Sequence, residues 1–417
     1  PADLRGRGPW WRVFRDAVLD RLERRVDVSN QTVKSADAAL AQARALVREA
    51  RAGFWPTVTA SFGRQRTTTA AGTVTMNSAG LAGTWDIDVW GRTRRETEGS
   101  EASAQAAAAT LAATELSVQA ELATDYFALR AQDRLEALLT ETVADERRSL
   151  AITESRYQFG VAAKADVVSA RTQLLGVESQ AVNAGVQRAL LEHAIAVLIG
   201  VPPSQFSLRP APLPAAVPVA PAGLPSALLE RRPDVAEAER RVAAANAQIG
   251  VARAAFFPIL QLTGSDDYSS GALAMLFRAS NQVWGFGPQI AQTLFAGGLL
   301  RAQAAAARAA YEGSVADYRQ AVLSAVQQVE DDLATLRILQ RQAAIARNTV
   351  VQAREAEALT LAQYKEGVVP YSSVISAQTT TLASRETDLN VRLNRLTASA
   401  SLIAALGGGW RPDRAAP

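Results

Sequence analysis

Two copies of one stretch constrain this chain more than any other feature. Arg156-Tyr-Gln-Phe-Gly-Val-Ala-Ala-Lys-Ala-Asp-Val-Val-Ser-Ala170 returns, altered, as Gln363-Tyr-Lys-Glu-Gly-Val-Val-Pro-Tyr-Ser-Ser-Val-Ile-Ser-Ala377. Tyr157 aligns with Tyr364, Gly160 with Gly367, Val161 with Val368 and Ser169-Ala170 with Ser376-Ala377, at a constant offset of 364 − 157 = 207. Each copy joins two long Ala-rich patterns. Gly sits at each join, where a left-handed backbone can reverse a helix. Two helical hairpin tips half a chain apart predict an internal duplication.

Helices are predicted over 28–52, 92–157, 164–199, 227–253, 298–364 and 371–406. Leu111, Val118, Leu122 and Leu129 step by 7, 4 and 7; Val315, Val322, Val326, Val329, Leu333 and Leu336 step by 7, 4, 3, 4 and 3. Both are coiled-coil seams, the second the stronger. Hydrophobic residues make up 48% of the chain but aromatics only 6%, so the apolar content favours close helix contact over a thick globular core. At 1.5 Å per residue, helix 92–157 spans about 100 Å and helix 164–199 about 54 Å. Each half therefore reads as one long helix beside two stacked shorter ones, with a strand hairpin at one end and a helical tip at the other.

The strand text begins where Gly53 stops a helix. Phe54, Val58, Ala60 and Phe62 alternate with Trp55, Thr57, Thr59 and Ser61, a period of 2. A polar segment at 64–80 reads as a loop. Leu81, Trp85, Ile87 and Val89 then alternate with Thr84, Asp86 and Asp88. An apolar face backed by acids suits a wall between lipid and water, with Asp86 and Asp88 in a barrel lumen; an ordinary sandwich strand would show the same alternation. The first hairpin covers about 54–90 and its counterpart about 256–296. Four strands cannot close a barrel, and an open edge in lipid has no hydrogen-bond partners, so a membrane reading requires copies to pool strands; three would give twelve.

The same text excludes several classes. There are no cysteines and one histidine, which removes disulfides, thiolate nucleophiles and Cys/His zinc sites. No apolar run of about 18 residues marks a transmembrane helix. The net charge of +3 gives no support for nucleic-acid binding. No nucleophile-elbow, phosphate-loop or metal-ligand motif occurs, so no cofactor or metal and no enzymatic role is expected. His193 lies on an Ala-rich helix, where packing or a bond to a neighbour is expected. The chain opens on Pro1 and reads as a mature or trimmed product, so the missing signal peptide excludes no compartment.

The expected division is an N-terminal arm (1–26), a first repeat (27–200, tip about 157–166), a Pro-rich linker (201–226), a second repeat (227–410, tip about 364–374) and a tail (411–417).

Several local motifs resemble the outer-membrane factor family, the TolC-like exit ducts of tripartite pumps, and within it the OprM/NodT-type lipoproteins of efflux systems. They are Gly223-Leu-Pro-Ser-Ala-Leu-Leu-Glu-Arg-Arg-Pro-Asp234, Ala252-Arg-Ala-Ala-Phe-Phe-Pro258, Thr84-Trp-Asp-Ile-Asp-Val-Trp-Gly-Arg92, Arg392-Leu-Asn-Arg-Leu-Thr397 and Leu406-Gly-Gly-Gly-Trp410. The resemblance runs from Trp11 to Trp410. It implies a mixed α and β fold: a homotrimer with a 12-stranded antiparallel β-barrel through the outer membrane and a 12-helix coiled-coil tunnel across the periplasm. Segments around 1–26, 201–226 and 337–350 would support an equatorial belt. It further implies a passive duct for drugs and other toxic small molecules, opened at its helical tips, with a periplasmic adaptor and an inner-membrane, proton-driven pump of the RND type as partners. That branch carries a lipidated N-terminal Cys. None is present here, so such an anchor is either cut away or was never there. A TolC-like duct for protein secretion and a soluble coiled-coil scaffold are the alternatives.

Carried over position by position, Tyr364 matches the family's second-tip Tyr and Asp166 an acid just after the first tip. Gln363 stands where relatives often have Arg, and Ser376 where they often have Asp, so the charged latch of relatives is weakened. These four and Tyr157 form the expected periplasmic gate. Gly160, Val161, Gly367 and Val368 are the expected adaptor contacts.

Overall fold

The computed structural model describes residues 9–70, 72–214, 216–218 and 232–410. A short 3-10 turn at Trp10–Phe14 leads into α1 (Ala17–Ser29) and α2 (Gln31–Ala52). The hairpin β1 (Thr57–Thr69) and β2 (Gly72–Ile87) follows, then α3 (Arg92–Gln158) and α4 (Lys164–Leu198). After the Pro-rich segment come α5 (Pro233–Ala254), β3 (Ile259–Ser270), β4 (Gln282–Ala291), α6 (Leu299–Lys365) and α7 (Tyr371–Ala405). The long helices α3 and α6 have 67 residues each, α4 and α7 have 35 each, and α2 and α5 have 22 each.

The described residues fall into two compact units, and both take pieces from each half of the chain. One gathers Asp37–Thr110 and Asp234–Ala321; the other gathers Pro1–Ala36, Leu111–Pro233 and Val322–Arg414.

The first unit holds a single antiparallel sheet in the order β1-β2-β3-β4. Its register sorts side chains by chemistry. Val58, Ala60 and Phe62 share a face with Leu81, Trp85 and Ile87 on β2, Leu260 and Leu262 on β3, and Trp284, Phe286 and Ile290 on β4; Asp266 is the one acid on this face and accepts from the Gln282 amide at 2.7 Å. The opposite face carries Thr57, Thr59 and Ser61, then Thr84 and Asp86, Gln261, Thr263 and Ser265, and Gln289. β1 and β4 are the sheet's two edges.

Two expectations about these strands need correction. The segment 64–80 is not a loop: β1 and β2 pair continuously from Thr57↔Thr84 to Thr69↔Gly72. β-branched Thr67, Thr68, Thr69, Thr73 and Thr75 suit a pleated ribbon, and Val74 and Met76 alternate with Thr73, Thr75 and Asn77 on β2. Asp88 and Val89 lie beyond the end of β2. Asp88 caps the start of α3 instead, accepting from the backbone N–H of Thr93 (3.2 Å) and Arg94 (3.0 Å), with the Arg94 side chain at 3.2 Å. A carboxylate there meets the unsatisfied donors and the positive end of the helix. Hydropathy alternation cannot separate that role from the next strand position.

Where strands meet helices, aromatic side chains spend their polar atoms on backbone. Trp85 donates to Phe54 O (2.9 Å) and Trp90 to Pro258 O (2.7 Å), while Trp90 stacks on Phe257 at 4.7 Å.

The second unit is held by an apolar cluster that includes Trp10, Trp11, Phe14, Leu19, Leu122, Tyr126, Phe127 and Ile199. The seam of Val118, Leu122 and Leu129 is buried here. From Trp10 onward the N-terminal arm is a turn and a helix. Asp16 caps α1 through Val18 N–H (2.8 Å) and Leu19 N–H (3.1 Å) and accepts the Tyr126 hydroxyl at 2.6 Å. Asn30 breaks the helix expected from residue 28: its Oδ1 accepts from Thr32 and Val33 N–H, and its amide donates to Leu198 O.

A buried ion network straps the Pro-rich segment to the helices. Asp133 pairs with Arg130 at 2.8 Å and Arg188 at 2.7 Å and accepts from Ala211 N–H at 3.0 Å; Arg130 also donates to Arg209 O at 2.9 Å. Every charge in the network has a partner, as burial demands. Residues 337–350 are an uninterrupted part of α6. The motif from Gly223 to Arg231 lies outside the described residues, as do most of the second half of the expected linker and the expected tail.

Candidate functional site

Both tips are built by the same backbone device. After α3, the Val161 N–H reaches Arg156 O at 2.9 Å and the Gly160 N–H reaches Tyr157 O at 2.9 Å; after α6, Val368 reaches Gln363 O at 2.9 Å and Gly367 reaches Tyr364 O at 3.0 Å. Gly160 has φ 72° and Gly367 φ 77°. This nested pair of bonds with glycine at the left-handed position satisfies carbonyls that a helix end leaves open.

Side chains then make the tips unequal. Tyr364 is only 3% exposed, packed with Ala170, Tyr371 and Val374. Its ring lies 5.2 Å from that of Tyr371, tilted by 59°, and the Arg156 guanidinium sits 4.8 Å from its centroid. Arg156 also donates to Lys365 O, tying the first tip to the second. Tyr364 is a packing centre, enclosed by Arg156, Tyr371 and Val374. Its counterpart Tyr157 is 45% exposed.

The other expected residues are spread around this cluster. Asp166 is half-buried in the first turn of α4, and its N–H bonds Ala163 O at 3.0 Å. Gln363 and Ser376 are exposed, the Ser376 hydroxyl returning to Ser372 O at 3.0 Å. Gly160, Val161, Gly367 and Val368 are all exposed, and beside them Phe159 stands 82% exposed. His193 is exposed as well.

Reasoning from sequence missed Arg156, Tyr371 and Glu146. Arg156 had a signal: it opens the first copy of the repeat where the second copy has Gln363, so the cation is supplied from the other tip. Tyr371 stands opposite Lys164 at the 207-residue offset and is 1% exposed. Glu146 is also 1% exposed, and its Oε2 has no hydrogen-bond partner among the described residues. Burial pushes its carboxyl up to about 7; a hydrogen bond from Gln173 opposes this, and the charges of Glu357 and Asp145 add to it.

On the sheet, Asp86 lies on the Thr/Ser/Gln face and accepts from the Gln261 amide at 2.8 Å. No helix is long and apolar enough to cross a membrane among the described residues. The two-faced sheet, in contrast, has the alternation of a transmembrane β wall.

Comparison with known proteins agrees with this arrangement. Residues 24–201 and 224–408 match the outer membrane efflux protein family. The probable efflux pump outer membrane protein TtgC of Pseudomonas putida is 31% identical over 413 residues, 96% of this chain and 85% of the relative. The pyoverdine export outer membrane protein OpmQ of Pseudomonas aeruginosa is 32% identical over 97% of this chain and 88% of its own. Among solved structures, the outer-membrane channel OprN superposes with a TM-score of 0.91 at 28% identity, over 98% of this chain and 94% of that one. CusC gives 0.91 at 28%, over 97% and 96%. These are channel proteins of the outer membrane and not enzymes. The chain belongs to the outer membrane efflux protein family.

Proposed function

We propose that three copies of this chain form the passive exit duct of a tripartite efflux pump, with a twelve-stranded barrel in the outer membrane continued by a twelve-helix tunnel. The observation that carries the reading is the four-stranded sheet: one face mainly apolar, one mainly polar, and two edges with no partner among the described residues. In lipid those edges must pair, and pairing β1 of one copy with β4 of the next closes the wall.

The helices support the same closure. α7 reaches α3 through Gln378 and Ser149 (2.9 Å) and α6 through Thr381 and Ala353 O (3.1 Å). That leaves outer faces on α4 and α6. On α4, Val168, Leu175, Val182, Val186, Leu190 and Val197 are exposed at steps of 7, 7, 4, 4 and 7. On α6, Leu323, Val326, Leu333, Ile338 and Ile345 are exposed, Val326 and Leu333 among them belonging to the stronger heptad. Seams of this spacing pack against another helix, and α4 against the α6 of the next copy satisfies both. The equal lengths of paired helices fit an internal duplication.

The tips would form the periplasmic gate, with Arg156, Tyr364 and Tyr371 as its internal lock and Tyr157, Asp166, Gln363 and Ser376 on the surfaces around it. Phe159, Val161 and Val368, with Gly160 and Gly367, offer an exposed surface to the helical hairpins of a periplasmic adaptor. A proton-driven inner-membrane pump of the RND type would supply the energy. The relatives are named for toluene, antibiotic and pyoverdine export; small toxic compounds are the matching cargo here. The test is the detergent-corrected mass by light scattering. Three chains are expected, and a single chain that keeps its β signal overturns the assembly.

A further inference from the structure

The sheet carries one pair of charged side chains to which the exit-duct reading gives no task. β1 and β2 pair out to Thr69↔Gly72, whereas β2 and β3 stop at Asn77↔Ser270 and β3 and β4 at Tyr268↔Gln282. The first hairpin thus projects as a two-stranded ribbon beyond the rest. On the face that carries Val58, Ala60 and Phe62, the next two positions outward are Arg64 and Arg66. Both are exposed, and neither makes an ion pair or hydrogen bond among the described residues.

Their height follows from the register. Asn77, the partner of Arg64, lies 87 − 77 = 10 residues along β2 from Ile87 at the sheet's base. Ten residues rise about 34 Å along a strand. At a tilt of about 40° that is roughly 26 Å of height, close to the apolar band of a membrane barrel. The row just below Arg64 holds Phe62, Ala79 and Tyr268, with Tyr268 edge-on to Phe277 at 5.4 Å. Aromatic rings at that level mark a membrane–water interface. Arg64 and Arg66 stand immediately outside it, on the lipid side of the wall.

The opposite end of the sheet provides the contrast. There the arginines have acids of their own: Arg92 with Glu96 at 3.0 Å, Arg94 with Asp88 at 3.2 Å and Arg95 with Glu98 at 2.6 Å. At the outer rim two guanidinium groups point the same way, two residues apart, with no carboxylate bound to either. Guanidinium forks match phosphate oxygens in geometry and charge.

We propose that Arg64 and Arg66 form a binding site for the phosphate groups of an anionic glycolipid in the outer leaflet around the barrel. The site rests on the barrel reading, which puts the Phe62 face toward lipid. Apolar chains of the lipid would lie along Val58, Ala60 and Phe62, and its headgroup would meet the two arginines.

The test uses the full chain purified as its trimer in a non-ionic detergent, with native mass spectrometry as the readout. The probes are lipid A with its phosphates, the same lipid dephosphorylated, and inorganic phosphate as competitor. Retention of the phosphorylated lipid over the dephosphorylated one by about tenfold is expected, the size of a strong charge-assisted pair. Arg64→Gln with Arg66→Gln should abolish that preference, and Arg64→Lys with Arg66→Lys should keep part of it. Equal retention of the two lipids by the unaltered trimer overturns the proposal without any variant. Unchanged preference in the double Gln variant overturns it too. Displacement of the lipid by inorganic phosphate at equal concentration would mark a general anion site and also overturn it. Failure of the barrel reading would look different, as monomers without a detergent-covered wall.

Discussion

The two helical tips share a backbone and differ in chemistry. Each ends a 67-residue helix with the same pair of hydrogen bonds and a glycine in the left-handed region. Yet the aligned tyrosines have opposite fates, Tyr157 at 45% exposure and Tyr364 at 3%. The difference lies in what surrounds them. Tyr364 contacts both Arg156 and Tyr371, whereas the second copy offers Gln363 and the first offers Lys164 at the equivalent positions. Glycine and the helix-ending bonds make the turn; the side chains decide which tyrosine is enclosed.

The largest expected effect breaks that enclosure. Removing a buried aromatic costs about 3–5 kcal/mol, while truncating an exposed one stays within about 0.5 kcal/mol. Tyr364→Ala combined with Arg156→Gln should raise single-channel conductance in planar bilayers several-fold, and Tyr157→Ala should leave it near the wild-type value. If Tyr157→Ala opens the channel as far, closure follows exposure at the tip and not the packing within it.

The next effect depends on pH and separates the two long helices. Glu146 on α3 has Ala353 as its counterpart on α6, since 146 + 207 = 353. Burial raises the Glu146 carboxyl from 4.5 to about 7, so the folded tip binds its proton more tightly than the unfolded chain does. The contribution to stability is therefore complete below about pH 4.5 and is lost as pH rises through about 7. A shift of this size is worth on the order of 2–3 kcal/mol. Protection factors of the amides around Glu146 and Tyr371, with the intrinsic base-catalysed rate divided out, should fall as the pH is raised from 5 to 8, and Glu146→Gln should flatten the profile. An unchanged profile in that variant would assign the dependence to another group.

What the sequence discloses and what it hides divide along the same line. The tips, the long helices and the two-faced strands each have a local period or a special residue: Gly160 and Gly367, the heptads, Val58 and Phe62 against Thr57 and Ser61. Backbone reversal and burial of one face are local problems, so local text records them. The ribbon beyond Phe62 is hidden because its β1 side (Arg64 to Thr69) has no apolar residue, and Val74 and Met76 on β2 give too short an alternation to stand out. Asp88 was misread because an acid on a strand and an acid capping the next helix look alike in alternation. The Arg156–Tyr364 contact joins residues 208 apart in sequence (364 − 156), and only folding brings them together. Val326 and Leu333 of the α6 heptad are exposed, and periodicity alone cannot distinguish a seam turned outward from one packed within the chain.

The smallest effect tests whether the shared backbone is as equivalent as it looks. A Cβ at Gly160 would meet nothing within 4 Å, and at Gly367 its nearest neighbour would be Arg156 Nη2 at 3.7 Å, an ordinary contact. Space therefore does not distinguish the two positions, and the cost of Gly→Ala is set by the left-handed φ alone, about 1–2 kcal/mol at each. Amide exchange at the two tips should accelerate by the same factor in Gly160→Ala and Gly367→Ala. Val161→Asp and Val368→Asp, which leave the backbone conformation alone, should not change exchange but should weaken retention of the adaptor on immobilised trimer. A markedly larger loss of protection for Gly367→Ala would mean that the Arg156 contact tightens the second turn as well as covering Tyr364, and the two tips would then differ in backbone stability as well as in side chains.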